Sequence, residues 1–345
     1  MTKNKVCIFL DVFLHKNEIQ EEILTKLGYE SYWFQTNATG NSSQTKGRLV
    51  MSRNPVKRIV YYLNFLLKHR STLHHAEVYT GGRMVFVTIL LLRLFRIHVI
   101  CVERGDIFIH LQNKMDRFTA FSMRWSFNLC HVIWYKEVYM LAALNNLNPN
   151  KRKEFIHNAV YLPETTISKE NKDIDFLWVN RVLSERNPDW FTKALSEEEL
   201  RSSKACLLGV PTNADGSLQL HEHLSGLPEN LIPYPYQNPF PYYQRARFFI
   251  LPARIVFGNH ALMEAMSYGL VPIVLQSPGV ELMVNHMDNG FVCEDYNSFL
   301  DCMKEAYFLH PDIYKRMSER NKEIIRNEFS PDYLYSKLKL LYEMV

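Results

Sequence analysis

The side chains best spaced for chemistry lie in residues 248–290, FFILPARIVFGNHALMEAMSYGLVPIVLQSPGVELMVNHMDNG. Asn259 and His260 stand where a loop runs into a helix carrying Ala261, Leu262, Glu264, Ala265 and Met266. The first N–H groups of a helix have no intrahelical acceptor, so a helix start of this kind suits a phosphate. Glu264, one turn further in, can accept hydrogen bonds from two hydroxyls. Each residue also has a plainer reading: Glu264 as an acid that favours the helix dipole, His260 as a structural histidine.

The elements around these residues form a repeating pattern. An apolar strand at 248–251 leads into the loop, and the helix stops at Gly269, where a left-handed residue belongs. A second apolar strand follows at 271–275. Strand, loop, helix and strand make one unit of a parallel sheet whose ligands bind at the carboxyl edge. Strands at 174–179 and 205–208 extend the sheet, and the Pro- and Tyr-rich stretch 233–243 reads as too interrupted for a helix. Two helices close the chain after Pro311, the last at about 331–344. The first half alternates similarly, with strands at 6–10, 29–34, 76–79 and 97–102, the last ending in Glu103-Arg104-Gly105-Asp106. A polar stretch, 36–54, reads as one long loop. Pro55 opens a helix with Val56, Ile59, Val60, Leu63, Leu66 and Leu67 at helical spacing. Its other faces carry Lys57, Arg58, Tyr61, Tyr62, Lys68 and Arg70. Such a helix is either an ordinary charged surface helix or one that lies at a membrane interface. Alternating elements of this kind predict an α/β chain with parallel sheets covered on both faces.

Composition narrows the function. The net charge of +4 conceals an asymmetry: residues 1–160 hold 22 Lys and Arg against 11 Asp and Glu, and the rest is net acidic. One half is therefore expected to meet an anionic surface. Basic residues interleaved with aromatics on a helix, without a nucleic-acid-binding signature, favour a membrane over nucleic acid. No signal-peptide pattern opens the sequence, and the apolar run 84–92 is about half a membrane span. Six scattered cysteines, with no Cys-x-x-Cys pair, predict reduced thiols, a cytoplasmic setting and no structural metal. Dinucleotide, phosphate-loop and serine-elbow motifs are absent, which weakens dehydrogenase, NTPase and serine-hydrolase readings.

The stretch 257–290 resembles the C-terminal donor site of the retaining GT-B glycosyltransferases that build bacterial surface polysaccharides. The matching residues are Phe257-Gly258, Met263-Glu264-Ala265-Met266, Gly269, Val271-Pro272-Ile273-Val274, Gly279-Val280-Glu281 and Asn289-Gly290. The family's second Glu, eight positions before the first, is Val256 here. Asn180-Arg181, followed five residues later by Arg186, is similar to the family's Gly-Arg-Leu and Lys, which neutralise the leaving nucleoside diphosphate. Fixed cations there stabilise departing phosphates without a metal; the alternative is that both are solvated or paired with the Glu197–Glu199 run.

The resemblance implies two Rossmann-like domains facing across a cleft. The first spans 1–160, a linker 161–172, the second 173–328, and the last helix, 329–345, crosses back to pack on the first. A nucleoside-diphosphate sugar would bind through Arg181, Arg186, Gly258, Asn259, His260 and Glu264, with no cofactor. Glu103 and Asp106 would contact the transferred sugar or the acceptor, or else form a salt-bridged loop around Arg104. The acceptor is expected to be a glycan or a lipid-linked glycan, met peripherally at the inner face of the cytoplasmic membrane. Two other readings share the fold: a nucleotide-sugar epimerase or hydrolase, and a non-catalytic glycan- or partner-binding relative.

Overall fold

The structure, a computed structural model, describes residues 4–14, 16–37, 47–81, 84–105, 107, 116–163, 172–213, 215–219, 224, 226–254 and 259–345. Two expected site residues, Asp106 and Gly258, lie outside the described residues, as do Val256 and most of the 161–172 stretch. The chain divides into two compact units: Met1–Ala159 with Pro331–Val345, and Val160–Ser330.

Unit 1 contains β1 (Lys5–Leu10), α1 (Lys16–Lys26), β2 (Glu30–Gln35), β3 (Arg48–Val50), α2 (Pro55–His69), β4 (Leu73–Tyr79) and α3 (Val85–Leu94). It continues through β5 (His98–Glu103), α4 (Arg117–Leu129), β6 (Val132–Tyr135), α5 (Met140–Leu147) and β7 (Arg152–Phe155). The sheet is parallel, in the order β3-β2-β1-β4-β5-β6-β7. Alternate residues of β1 point to opposite faces. Cys7 and Phe9 join a core with Tyr62 and Leu66 of α2, Ile89 and Leu92 of α3, and Phe127 of α4. Val6, Ile8 and Leu10 join one with Ile19 and Ile23 of α1. The C-terminal helix, here α11 (Pro331–Glu343), completes this second core with Leu334, Leu338, Leu341 and Tyr342. Its Tyr342 hydroxyl donates to the buried Glu77 carboxylate at 2.5 Å.

Unit 2 contains β8 (Ile174–Val179), α6 (Pro188–Leu195), β9 (Ala205–Val210), β10 (Leu231–Pro235), α7 (Phe240–Arg245) and β11 (Ala246–Leu251). After these come α8 (His260–Ser267), β12 (Val271–Leu275), β13 (Phe291–Cys293), α9 (Tyr296–Tyr307) and α10 (Pro311–Glu328). Its parallel sheet runs β10-β9-β8-β11-β12-β13. One face is covered by α6 and α9 and the other by α8, and α10 contributes to both cores, Met317 to the first and Ile324 and Ile325 to the second. Strand order therefore reverses between β1 and β4 in unit 1, and between β8 and β11 in unit 2. Crevices open at the carboxyl ends of strands at such reversals.

Two local expectations are corrected. The 36–54 stretch holds the edge strand β3, pairing Trp33 with Arg48 and Gln35 with Val50. Within 233–243 the chain forms part of β10 and the start of α7. Pro235 is tolerated because β10 is an edge strand, and Pro241 because it falls in the first turn of α7, where an N–H has no partner to lose.

Candidate functional site

The described residues of the loops after β8, β11 and β12 lie at the carboxyl edge of unit 2. Asn180 leaves β8 with its N–H bonded to the Leu208 carbonyl at 3.1 Å. The neighbouring strand end is Gly209, at φ +115°, and a Cβ there would sit 2.2 Å from the Asn180 carbonyl oxygen. Only glycine allows these two strand ends to approach so closely. The chain then makes a 3-10 turn over Ser184–Arg186 and passes through Asn187 in the left-handed region, φ 50°. Asn187 Nδ2 donates to the Pro252 carbonyl at 2.8 Å, and Arg254 N donates to the Glu185 carbonyl at 3.2 Å. These two bonds stitch the β8 loop to the β11 loop across the strand reversal.

Arg181 is exposed and Arg186 half-buried. Burial lowers the pKa of Arg186, and the nearby positive charge of Arg181 lowers it further, against a partial offset from Glu185. The two guanidinium groups are thus electrostatic neighbours. Among the described residues neither forms an ion pair. Glu199 of the acidic run pairs instead with Lys304 at 2.8 Å. The Nη1 of Arg186 is buried without a protein partner, as are Asn180 Nδ2 and, in the loop after β12, Ser277 Oγ. An unsatisfied buried polar group costs on the order of 1–3 kcal/mol. Three of them lie around this one sheet edge.

The β11 loop returns as α8, whose N-cap is Asn259: its Oδ1 accepts from Leu262 N at 3.1 Å. This bond satisfies one N–H of the first turn and sets the direction of the others. His260 is the first helical residue and is half-buried. One turn on, half-buried Glu264 accepts a hydrogen bond at 3.2 Å from the hydroxyl of Tyr243, a fully buried residue of α7. Burial pushes the Tyr243 phenol well above its usual pKa, and Glu264 adds to the effect, so it stays a donor. Tyr243 was invisible as a site residue: the signal was a tyrosine-rich stretch, and its alignment with Glu264 needs the fold. Beyond Gly269, at φ +77°, β12 ends in the turn Ser277–Gly279, where Glu281 Oε2 accepts from Gly279 N at 3.1 Å. Glu281 shapes that turn.

Of the expected unit 2 residues, Arg181, Arg186, Asn259 and His260 fall in the loops and the helix start at this edge, and Glu264 lies one turn further into α8. In unit 1, Glu103 ends β5 fully buried, with its carboxylate accepting from Gly105 N at 3.1 Å and Ile107 N at 2.9 Å. Its oxygens therefore hold its own loop. Arg104 lies 3.8 Å from Asp11, at the end of β1. A cavity of about 110 Å³ opens at the strand reversal of unit 1, lined by Asp11, Thr36, Arg58, Tyr79 and Thr80 over an apolar floor that includes Phe9 and Phe34.

The family described as "Glycosyl transferases group 1" matches residues 173–307, which hold this edge of unit 2. An uncharacterized glycosyltransferase of Haemophilus influenzae is 28% identical over 190 residues, 54% of this chain and 49% of that protein. A glycogen synthase of Desulfitobacterium hafniense is 24% identical over 200 residues, 54% and 42% of the two chains. The chain spans a little under half the length of these curated relatives. Among solved structures, sucrose-phosphate synthase from Thermosynechococcus elongatus superposes with a TM-score of 0.76 at 11% identity, covering 99% of this chain and 98% of that one. Anabaena Alr3699/HepE in complex with UDP-glucose gives 0.76 at 11% identity over 99% and 100%. WaaG, a glycosyltransferase involved in lipopolysaccharide biosynthesis, gives 0.70 at 12% identity over 99% of each chain. Two parallel α/β sheets, each with a strand reversal, and these full-length superpositions establish that the chain has the two-domain GT-B fold.

Proposed function

We propose that this protein is a glycosyltransferase that moves a sugar from a nucleoside-diphosphate sugar to a glycan or lipid-linked acceptor. The observation that carries the reading is that Arg181 and Arg186, electrostatic neighbours on the loop after β8, share the carboxyl edge of the sheet with the start of α8, whose Glu264 is held by Tyr243. In this reading the two guanidinium groups bind the diphosphate. They stabilise it most as the glycosidic bond breaks and negative charge gathers on the leaving phosphate. Their mutual repulsion keeps both poised for an anion. Glu264, aimed by Tyr243, accepts hydrogen bonds from ribose hydroxyls, and the Asn259–His260 start of α8 turns N–H groups toward the phosphates. Gly258, just before it, would let the ligand approach the backbone. Retention of anomeric configuration and independence from metal belong to the same proposal.

Unit 1 supplies the acceptor site in this reading. Its cavity lies at the strand reversal, and the β5 loop beside that reversal is shaped by Glu103 and carries Arg104 and Asp106. Glu103 thus acts by positioning, and Asp106 is proposed to contact the acceptor or the transferred sugar. The basic balance of the first half, with tyrosines and cations on α2, favours an acceptor at the inner face of the cytoplasmic membrane. The lipopolysaccharide role of one structural neighbour points the same way. A thermal-shift screen over nucleoside diphosphates and their sugars tests the donor site, because a ligand that binds only the native state raises Tm. One nucleoside diphosphate should raise Tm, and no shift at millimolar concentration would favour a non-catalytic relative. Turnover of the nucleotide sugar without any acceptor would favour the epimerase or hydrolase.

A further inference from the structure

Among the described residues, one face of unit 1 carries no acidic side chain on its helices. The helices α2, α3, α4 and α5 all pack on the same side of the sheet, and none of them contains Asp or Glu. Acidic residues collect on the opposite face, with Glu18, Glu21 and Glu22 on α1 and Asp332 and Glu343 on α11. Asp116, at the edge of the acid-free face, caps the first turn of α4 by accepting from Phe118 N and Thr119 N.

The outer surface of this face is apolar as well as basic. On α2, Val56, Val60 and Leu67 are exposed at helical spacing, with Leu67 62% accessible, and Lys57 and Lys68 stand among them. On α3, Leu94 is 70% accessible beside Arg93. On α4, Phe118 is 58% accessible next to Arg117 and Trp125 45% accessible next to Arg124. The faces of α3 and α4 join through an aromatic cluster: Phe86 lies 6.0 Å from Phe121 and 6.5 Å from Trp125, and those two rings are 5.9 Å apart. A bond from Phe86 N to Ser122 Oγ, 3.2 Å, holds the two helices together there. Large apolar groups exposed together mark an interaction surface. No helix among the described residues is long and apolar enough to cross a membrane.

We propose that this face is a membrane-docking surface, on which Leu94, Phe118, Phe121 and Trp125 enter the headgroup–acyl boundary of an anionic bilayer while the surrounding lysines and arginines meet lipid phosphates. The proposal rests on the reading that the acceptor is met at a membrane, and adds which surface binds and that it inserts. Aromatic rings settle at the interface between water and acyl chains, and exposed cations without carboxylates among them are attracted to anionic lipid. A second copy docked through the same face would set these cations against themselves, because a two-fold interface pairs a patch with its own image.

Purified protein is sedimented with phosphatidylcholine vesicles, with and without phosphatidylglycerol, while tryptophan fluorescence is followed in vesicles with brominated acyl chains. Vesicles containing phosphatidylglycerol should retain the protein, with a fraction resisting high salt, and bromine should quench an emission that Trp125→Phe removes. Leu94→Glu and Phe118→Glu, both at exposed positions, should each lower retention about tenfold while leaving the nucleotide-induced thermal shift of unit 2 unchanged. Retention with no quenching of Trp125 would overturn the assignment of this face and leave the membrane reading standing. Absence of retention on any vesicle would remove both, with the donor-site reading still judged by nucleotide binding. A change from dimer to monomer in Leu94→Glu, with vesicles inert, would assign the face to a second copy instead.

Discussion

Arg186 is a half-buried cation whose largest electrostatic influence from a neighbour comes from another cation, Arg181, an arrangement that costs folding free energy and favours an anion. That gives it a signature unlike a structural arginine's. Arg186→Met should weaken binding of a nucleoside diphosphate by about 10- to 100-fold, the value of a charge-assisted hydrogen bond at about 1.5–3 kcal/mol. It should leave the unliganded Tm equal or higher, since burial and repulsion are both relieved. Calorimetry and a melting curve check the two halves, and a lower Tm with unchanged affinity would return Arg186 to a structural role. Tyr243 acts at one remove, through Glu264. Tyr243→Phe should weaken binding of a nucleoside diphosphate by about 3- to 10-fold, the scale of one neutral hydrogen bond. It should leave the affinity for inorganic pyrophosphate unchanged, because in the proposed reading Glu264 meets only the sugar hydroxyls. Equal losses for both ligands would count against the ribose assignment.

The site is assembled by the ends of elements. The β8 and β9 ends touch at Gly209, and the β8 and β11 loops are stitched through Asn187 and Arg254. Gly209→Ala places a methyl carbon against the Asn180 carbonyl and forces a non-glycine residue to hold φ +115°. It should cost about 2 kcal/mol or more, read as a lower urea midpoint. Because the displaced loop carries Arg181 and Arg186, the surviving folded protein should also bind nucleotide more weakly. A full loss of stability with unaltered affinity would show that the loop recovers its position without the contact. In unit 1, α11 arrives from the far end of the chain and brings Tyr342 to Glu77, so residues 331–345 belong to the first core although the second unit separates them in sequence.

Across the molecule, unit 1 buries charge near its strand reversal. Lys136, after β6, donates to Asn158 Oδ1 at 2.9 Å and lies 4.8 Å from the Trp134 ring. Burial, helped by Lys16 and Arg104 and partly offset by Glu77 and Glu137, lowers its pKa to about 7. In the unfolded chain it titrates near 10.5. Between these values the unfolded state holds more protons than the folded one, so this lysine makes stability rise with pH from about 7 toward 10 and penalises folding below that window. Lys136→Met should therefore be more stable than the parent at pH 6, with the difference shrinking toward pH 10. Parallel melting curves check it, and a gap that widens with pH would reverse the sign. The charge asymmetry of the chain also has a structural form, since within unit 1 helices α2 to α5 on one face carry bases without acids, while α1 and α11 on the other carry both.

Amino-acid order alone determined the alternation of strands and helices, the left-handed stop at Gly269, the helix start at Asn259 and the pattern of Arg181, Arg186 and Glu264. All of these are local, set by periodicity, capping and short spacing, so a linear reading reaches them. The edge strand β3 was hidden because three residues in a polar stretch carry no periodicity, and α7 because prolines in a first turn resemble breaks. Only the tertiary structure decided that Tyr243 aims Glu264, that Gly209 lets the Asn180 loop close, and that Glu103 turns inward to its own loop. It also decided that four acid-free helices share one face. Each of these depends on residues that are far apart along the chain and brought together by sheet order, which no spacing in the sequence records.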